Sequence, residues 1–182
     1  MSIVITGNPG VGKHAITQEI AEKLGLSIID INSIAKDAGL FEKNNGTYNV
    51  DTTKLEKILE QKISEKKMIV GHLAPYVLDK NKVKIVIILR KNPYDLISVY
   101  KERKYTDEKS KENLGSEVLG IIAHDAIRKF QEKAFQINTS KRSIQEVVEK
   151  VITLISSNKG NEEVDWLDLI TKNNDLKKFF TD

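Results

Sequence analysis

The residues best suited to chemistry lie close to the start of the chain, in a glycine-rich stretch. Gly7, Gly12 and Lys13 match the pattern G-x-x-x-x-G-K, which is typical of a loop that binds phosphate groups. Glycines let successive backbone N–H groups converge on an anion, and a lysine in this position reaches the outer phosphates. The pattern is moderately specific, because a glycine turn that merely joins a strand to a helix also satisfies it.

The elements on either side of this stretch follow the order that a phosphate loop requires. A short β-branched run over residues 3–6 predicts a strand, and apolar residues at helical spacing after Lys13 predict a helix. The N-terminus of that helix adds a partial positive charge to the loop. The residue after the lysine is normally Ser or Thr, whose hydroxyl binds Mg²⁺, but here it is His14.

The composition limits the class of protein. The 182 residues suffice for one ordinary domain, and 40% hydrophobic with 30% charged residues is typical of a soluble globular protein. The chain contains no cysteine, which excludes disulfides and thiolate metal sites. The sequence has no apolar run long enough for a membrane span and no signal peptide. The net charge is +3 and there is no nucleic-acid-binding motif, so we expect a cytoplasmic protein, as a monomer.

Strands and helices alternate along the chain. The strongest strand signal is the continuous apolar run over residues 83–89, which suits a parallel strand covered on both faces. Further strands are predicted over residues 26–31, 68–70 and 134–138. Helix starts are marked by Asn32 or Ser33, by Asp51, by Asn92 with Pro93, and by Ser143 with Glu146. The alternation predicts one α/β domain over residues 1–182, with a five-stranded parallel sheet and helices on both faces.

Three polar or atypical segments are attached to this core. The first, about residues 30–53, contains the turn signal Asn44-Asn45-Gly46. The second, about residues 103–113, is either a solvated linker or a mobile lid, and a long helix is predicted after it over residues 114–133. The tail, about residues 161–182, carries the only tryptophan and is either a helix packed on the core or a docking element for a partner.

Arginines are rare and therefore informative. Only four of the 29 basic residues are arginines, whose planar fork suits phosphate binding better than the lysine ammonium group does. Arg90 ends the fourth strand and Arg103 begins the second polar segment, and the alternative for Arg103 is an exposed surface residue. A phosphate loop, two insertions and these arginines together indicate a small phosphotransferase, because phosphoryl transfer mainly requires positioning and charge neutralisation.

Several motifs follow the loop in a fixed order. They are Ile69-Val70-Gly71-His72, Leu89-Arg90, Glu102-Arg103-Lys104-Tyr105, Ser140-Lys141 and Asp165-Trp166. With the loop, this set resembles the adenylate kinase isoenzyme 6 family, and more specifically its archaeal members, over about residues 1–167. The resemblance implies a P-loop nucleoside-monophosphate kinase fold with an acceptor-binding insertion and a lid. It also implies ATP and Mg²⁺ as cofactors, γ-phosphate transfer to AMP or a related monophosphate, ATPase activity, and transient binding to a small-subunit ribosomal platform protein during rRNA maturation.

The resemblance also assigns roles to individual residues. It implies that the donor nucleotide lies against Gly10, Val11, Gly12, Lys13, His14 and Ala15. It makes Arg103 the lid arginine, Lys141 part of the adenine-binding loop, and His72 a histidine linked to ATP hydrolysis. Lys13, His72 and Arg103 are thus the candidate catalytic residues, although a histidine after a strand is also often a hydrogen-bonded structural residue. The candidate substrate-binding residues are Lys36, Arg90 and Asp30.

Four positions depart from the resembled family. His14 replaces the threonine that binds Mg²⁺, and an imidazole is a poor substitute for a hydroxyl on a hard cation. Val70 replaces a carboxylate, Lys36 replaces an arginine that grips the acceptor phosphate, and Val99 replaces a further arginine. Asp30 is either a replacement carboxylate near the metal or an ordinary loop residue, and no side-chain metal site is assigned.

These departures leave three hypotheses open for the function. The first is a weak or broad adenylate-type kinase with ATPase activity. The second is an ATP-switched ribosome-assembly factor with little monophosphate kinase activity. The third is a degenerate protein that binds nucleotide without hydrolysing it.

Overall fold

The computed structural model describes residues 2–44, 47–63 and 66–180. Its centre is a sheet of five strands: β1 (Ser2–Thr6), β2 (Ser27–Asp30), β5 (Lys67–Val70), β6 (Val83–Arg90) and β7 (Ala134–Asn138). Their order is β2-β5-β1-β6-β7, and every neighbouring pair is parallel. This confirms the predicted five-stranded parallel sheet, and the carboxyl ends of all five strands meet at one edge.

Helices cover both faces of the sheet, as predicted. One face packs against α1 (Lys13–Leu24) and α8 (Ile144–Ser157). The other packs against α2 (Ile31–Asp37), α3 (Thr52–Lys62), α4 (Ala74–Val77) and α7 (Ile121–Phe130). Because both faces are covered, β6 is buried along nearly its whole length, which explains its continuous apolar sequence. Short 3₁₀ turns precede β6 at Lys80–Lys82 and β7 at Gln131–Lys133.

A third apolar cluster lies beside the sheet. It joins α5 (Pro93–Glu102), α6 (Asp107–Leu119), α9 (Trp166–Lys172) and α10 (Leu176–Phe179). Leu96 and Leu114 meet Ile170 and Phe179 there, all buried. The tail therefore packs back onto the chain, which was one of its two predicted arrangements. None of the helices in the described ranges is long and apolar enough to cross a membrane.

The helix prediction over residues 114–133 was wrong at both ends. The helix begins earlier, at Asp107, because the Thr106 hydroxyl caps it by accepting from the N–H of Lys109. It then ends at Gly120, whose φ of 64° is left-handed, and α7 starts as a separate helix. Residues 107–113 are thus the solvated first turns of α6, and not a linker without structure.

The first insertion contains a hairpin that the sequence pattern did not predict. Strands β3 (Phe41–Asn44) and β4 (Thr47–Val50) pair antiparallel. The predicted turn includes Asn45 and Gly46, which lie outside the described residues. The cap of α2 also differs from the prediction, since Asp30 accepts from the N–H groups of residues 32 and 33.

The remaining predicted caps are confirmed. Asp51 accepts from the N–H of Lys54, and Asn92 from the N–H of Tyr94. Ser143 and Glu146 form a reciprocal capping box at the start of α8.

The packing of the tail predicts a clear difference between two of its side chains. Phe179 is fully buried, with its ring edge-on to Tyr94 at 5.1 Å between ring centroids, whereas Leu176 is 42% exposed. Phe179→Ala should therefore lower the free energy of unfolding by about 3–5 kcal/mol, because it removes a buried aromatic side chain and leaves a cavity. Leu176→Ala is the matched control and should cost less than about 1 kcal/mol. Equal losses in urea denaturation would contradict this packing.

Candidate active site

The glycine-rich loop joins β1 to α1 at the carboxyl edge of the sheet. Gly7 must be a glycine, because a Cβ atom there would lie 2.4 Å from the backbone oxygen of Leu89. Gly12 has a φ of 93°, a left-handed conformation that other residues adopt at a cost in energy, and it begins α1. The sequence order strand, loop, helix is therefore realised in the geometry that presents backbone N–H groups to an anion.

Lys13 is the buried cation of this loop. Its side chain is almost fully buried, and its Nζ donates to the backbone oxygen of Asn8 at 3.2 Å. Burial, with a smaller contribution from the nearby charge of Arg103, lowers the pKa of Lys13 to about 8. The partner in this contact is a neutral oxygen, so the buried ammonium group gains from pairing with an incoming phosphate.

A cavity of about 1230 Å³ opens over the loop. Its floor includes the loop residues Gly10, Gly12, Lys13, His14 and Ala15. Its lining also includes Lys36, His72, Arg103, Tyr105 and residues of the first turns of α6. The structure thus brings most of the sequence-predicted site residues into one space.

Four predicted residues are outside the lining of the cavity, and one of them, Asp30, lies beside His14. Arg90 is only 4% exposed, and its guanidinium group donates to Glu117 and Gln136. These contacts favour a structural role for Arg90 over the predicted substrate contact. Val11 is buried in the core, so it offers only its backbone. Lys141 lies exposed in the turn after β7, outside the lining of the cavity.

His14 and Asp30 form a pair beside Lys13. The His14 Nε2 lies 2.9 Å from the Asp30 Oδ2, while the Asp30 Oδ1 caps α2. Asp30 is the register partner of Val70 on the neighbouring strand, so its carboxylate lies next to the position where the resembled family has one.

The residues beside Lys13 do not fit a Mg²⁺ ion as a standard phosphate loop does. Mg²⁺ prefers oxygen ligands in octahedral geometry, whereas the position after the lysine offers an imidazole. Val70 is buried in the core and has no ligand atom in its side chain. Both oxygens of Asp30 already have partners. In the residues that the structure describes, no group of three or more His, Cys, Asp or Glu side chains is arranged to hold a metal.

His72 follows β5 and faces the same cavity. Burial and the charge of Lys13 lower the pKa of His72 to about 4, so its imidazole is neutral at pH 7. The Nδ1 lies 3.4 Å from the Asn32 Nδ2, and with this amide as donor the ring proton is on Nε2. The Asn32 Oδ1 is buried and has no partner among the described residues, so it is an acceptor that a ligand or water would satisfy.

Sequence reasoning missed one residue behind the loop. Glu117 is fully buried on α6 and accepts a hydrogen bond from the Asn8 side chain at 2.6 Å. A signal was present, because Glu117 interrupts the apolar face formed by Leu114 and Val118. Charged residues at such positions are rarely buried without a specific partner.

Sheet order, loop and cavity define a P-loop kinase of the nucleoside-monophosphate kinase fold. Solved structures with this fold include the shikimate kinase of Acinetobacter baumannii in complex with shikimate, with a TM-score of 0.62 and 20% identity. That match covers 87% of this chain and 94% of the other. The shikimate kinase of Bacteroides thetaiotaomicron matches with a TM-score of 0.59 and 18% identity, over 86% and 98% of the two chains.

Sequence comparison identifies the family. The model of a family described as an AAA domain matches residues 3–120. A Methanosarcina barkeri protein named "Putative adenylate kinase" is 33% identical over 93% of this chain and 100% of its own length. A Thermococcus kodakarensis protein of the same name is 32% identical over 85% of each chain. This chain belongs to the AAA domain family and to the family of these archaeal relatives.

The lowered pKa of Lys13 predicts a pH dependence of nucleotide binding. Below about pH 8 the ammonium group is charged and pairs with phosphate, whereas above it the free protein loses this proton and must regain it on binding. We expect ATP affinity to be flat from pH 6.5 to 7.5 and to fall up to about tenfold per pH unit above the pKa near 8. Calorimetry in buffers of different ionisation enthalpy should show proton uptake above pH 8. Constant affinity up to pH 9.5 would contradict the assignment.

Proposed function

We propose that this protein is a nucleoside-monophosphate kinase of the adenylate kinase type. It transfers the γ-phosphoryl group of ATP to AMP or a related monophosphate and also hydrolyses ATP slowly. The observation that carries the proposal is one cavity whose lining combines the phosphate loop with three further cationic side chains, those of Lys36, Arg103 and Lys109. The names of the archaeal relatives support the same activity.

The two sides of the cavity suit two phosphorylated ligands. The loop and Lys13 bind the donor phosphates, and Lys36 on α2 offers a cation to the acceptor phosphate. The charge of Arg103 contributes to the lowered pKa of Lys13, and this supports a role for Arg103 near the transferred group. Its guanidinium group neutralises charge that spreads over the phosphoryl oxygens in the transition state.

The segment over residues 103–113 serves as the lid in this proposal. Four of its residues line the same cavity as the loop: Arg103, Tyr105, Lys109 and Asn113. The Tyr105 ring stacks on Tyr100, with ring centroids 5.3 Å apart, and Lys109 lies over the Tyr105 ring. A lid of this kind excludes water and so favours transfer over hydrolysis.

A divalent cation is part of the proposal although the residues present do not suit Mg²⁺ well. Such a cation neutralises phosphate charge when bound with ATP. The weak fit to Mg²⁺ predicts turnover slower than that of a kinase with a Ser or Thr hydroxyl after the loop lysine.

His72 presents a neutral imidazole to the cavity. With Asn32 donating to its Nδ1, the Nε2–H is the donor available to a ligand.

A coupled assay tests the kinase proposal. ATP, a divalent cation and each monophosphate in turn are supplied, and ADP formation is compared with that of the Lys13→Ala variant. We expect AMP to accelerate ADP formation above the slow hydrolysis that occurs without an acceptor. Turnover no greater than that of Lys13→Ala would rule out the enzyme.

A second candidate function is an ATP-switched assembly factor for the small ribosomal subunit. It is favoured by Lys36, which stands where the resembled family grips the acceptor phosphate with an arginine and which forms a weaker phosphate contact. The protein would then act in the cytoplasm and bind a ribosomal platform protein transiently.

The two candidates differ in what stimulates ATP hydrolysis. The assembly factor predicts stimulation by a ribosomal protein that a pull-down recovers, with no effect of monophosphates. Failure to recover any ribosomal protein in the presence of ATP would count against it.

A further inference from the structure

Glu117 connects four segments that are distant in the sequence. Its Oε1 accepts from the Arg90 Nε at 2.9 Å, from the Lys91 N–H at 3.0 Å and from the Trp166 Nε1 at 3.0 Å. Its Oε2 accepts from the Asn8 Nδ2 at 2.6 Å. The carboxylate is fully buried, so these four donors replace its hydration.

The contact with Asn8 extends this network into the phosphate loop. The Asn8 Oδ1 accepts from the Ser116 Oγ at 3.0 Å, so both ends of the Asn8 amide are held by α6. The backbone oxygen of the same residue accepts from the Lys13 Nζ. A continuous chain of hydrogen bonds therefore runs from Trp166 through Glu117 and Asn8 to Lys13.

These hydrogen bonds link the C-terminal tail to the phosphate loop. Trp166 begins α9, which packs beside α6 through Ile170. A buried carboxylate held by donors from the loop, from the end of β6 and from the tail has little freedom to move. The same carboxylate thus holds the Asn8 side chain of the loop and contacts the indole of Trp166.

We propose that Glu117 is a positioning residue that holds the phosphate loop in its binding geometry, and that Trp166 makes the C-terminal segment part of the nucleotide site. The inference rests on the proposed function in taking the loop's ligand to be a nucleotide phosphate. When phosphate arrives, Lys13 leaves the backbone oxygen of Asn8, and the change passes through Asn8 and Glu117 to Trp166.

The first test uses the only tryptophan of the chain as a reporter. ATP should shift the emission of Trp166 in the natural chain, with a midpoint that equals the dissociation constant from calorimetry. Lys13→Ala keeps Glu117 and Trp166 but loses phosphate binding, so it should show no shift. Calorimetric binding without any change in emission would overturn the inference alone, whereas absence of binding to the natural chain would contradict the proposed function as well.

The second test is a rescue by exchange of charge. Asn8→Asp places a carboxylate against Glu117 and should weaken ATP binding at least tenfold. Adding Glu117→Gln restores a donor–acceptor pair and should recover most of that affinity. Glu149→Gln, at an exposed position of α8 outside the lining of the cavity, is the matched control and should bind as the natural chain does.

Melting temperatures separate positioning from a purely structural role. A structural role would lower the melting temperature of Asn8→Asp while leaving the affinity of the folded fraction unchanged, and that result would overturn the inference. A double variant that binds no better than Asn8→Asp would also overturn it.

Discussion

Replacing Arg103 with alanine is expected to lower the kcat for phosphoryl transfer about 100-fold or more, with a much smaller change in the dissociation constant of ATP. The reason is that the guanidinium group acts on charge that develops in the transition state, and removal of one such group typically costs 10²–10³ in rate. Arg103 lines the cavity, and its charge contributes to the lowered pKa of Lys13. Rapid-quench measurement of a single turnover would give the rate of the chemical step.

Two further variants make this prediction specific. Arg103→Lys keeps the charge but loses the planar fork, so an intermediate rate is expected. Arg128 is an exposed arginine of α7 outside the lining of the cavity, and Arg128→Ala should leave the rate unchanged. Equal rates for Arg103→Ala and the natural chain would show that Arg103 does not stabilise the transition state.

The His14→Thr variant is expected to gain activity with Mg²⁺, by about tenfold or more. Threonine supplies the hard hydroxyl oxygen that a phosphate loop normally offers to this cation, whereas His14 supplies an imidazole that is paired with Asp30. Manganese accepts imidazole more readily than magnesium does. Mn²⁺ should therefore support faster turnover than Mg²⁺ in the natural chain, and this advantage should shrink in the variant.

The control for this gain is another histidine. His124 lies exposed on α7 and outside the lining of the cavity, so His124→Thr should not change the preference for either cation. Initial rates with each cation, together with ATP affinities from calorimetry, would separate metal binding from chemistry. If the natural chain turned over as fast with Mg²⁺ as His14→Thr does, the imidazole would not limit the use of Mg²⁺, and the prediction would be wrong.

Much of the fold could be predicted because local signals agreed with it. The apolar run of β6 indicated a strand buried on both faces, and Ser143 with Glu146 marked the start of α8. The hairpin of β3 and β4 was missed because its strands are four residues long and carry no apolar alternation. The start of α6 was missed because its first two turns are exposed, so that no apolar period marks them.

In the candidate site, too, the features marked by local sequence could be predicted, whereas those made by distant contacts could not. The loop from Gly7 to Lys13 could be read directly, because its chemistry is local in sequence. The contacts of Arg90 could not be predicted, since its partner Glu117 lies 27 residues away in the sequence. Arg90 is outside the lining of the cavity. Glu117 itself meets Asn8 across 109 residues, a contact that only the packing of α6 against the loop creates.

The most direct test of the kinase proposal starts from ADP alone. An adenylate kinase converts two ADP into one ATP and one AMP, whereas an ATPase or a passive nucleotide binder cannot make ATP from ADP. Phosphorus NMR of the natural chain with ADP and Mn²⁺ or Mg²⁺ should show ATP and AMP appearing in equal amounts, and Lys13→Ala should show neither. Failure of the natural chain to form ATP from ADP, with nucleotide binding intact, would contradict kinase activity of the adenylate type.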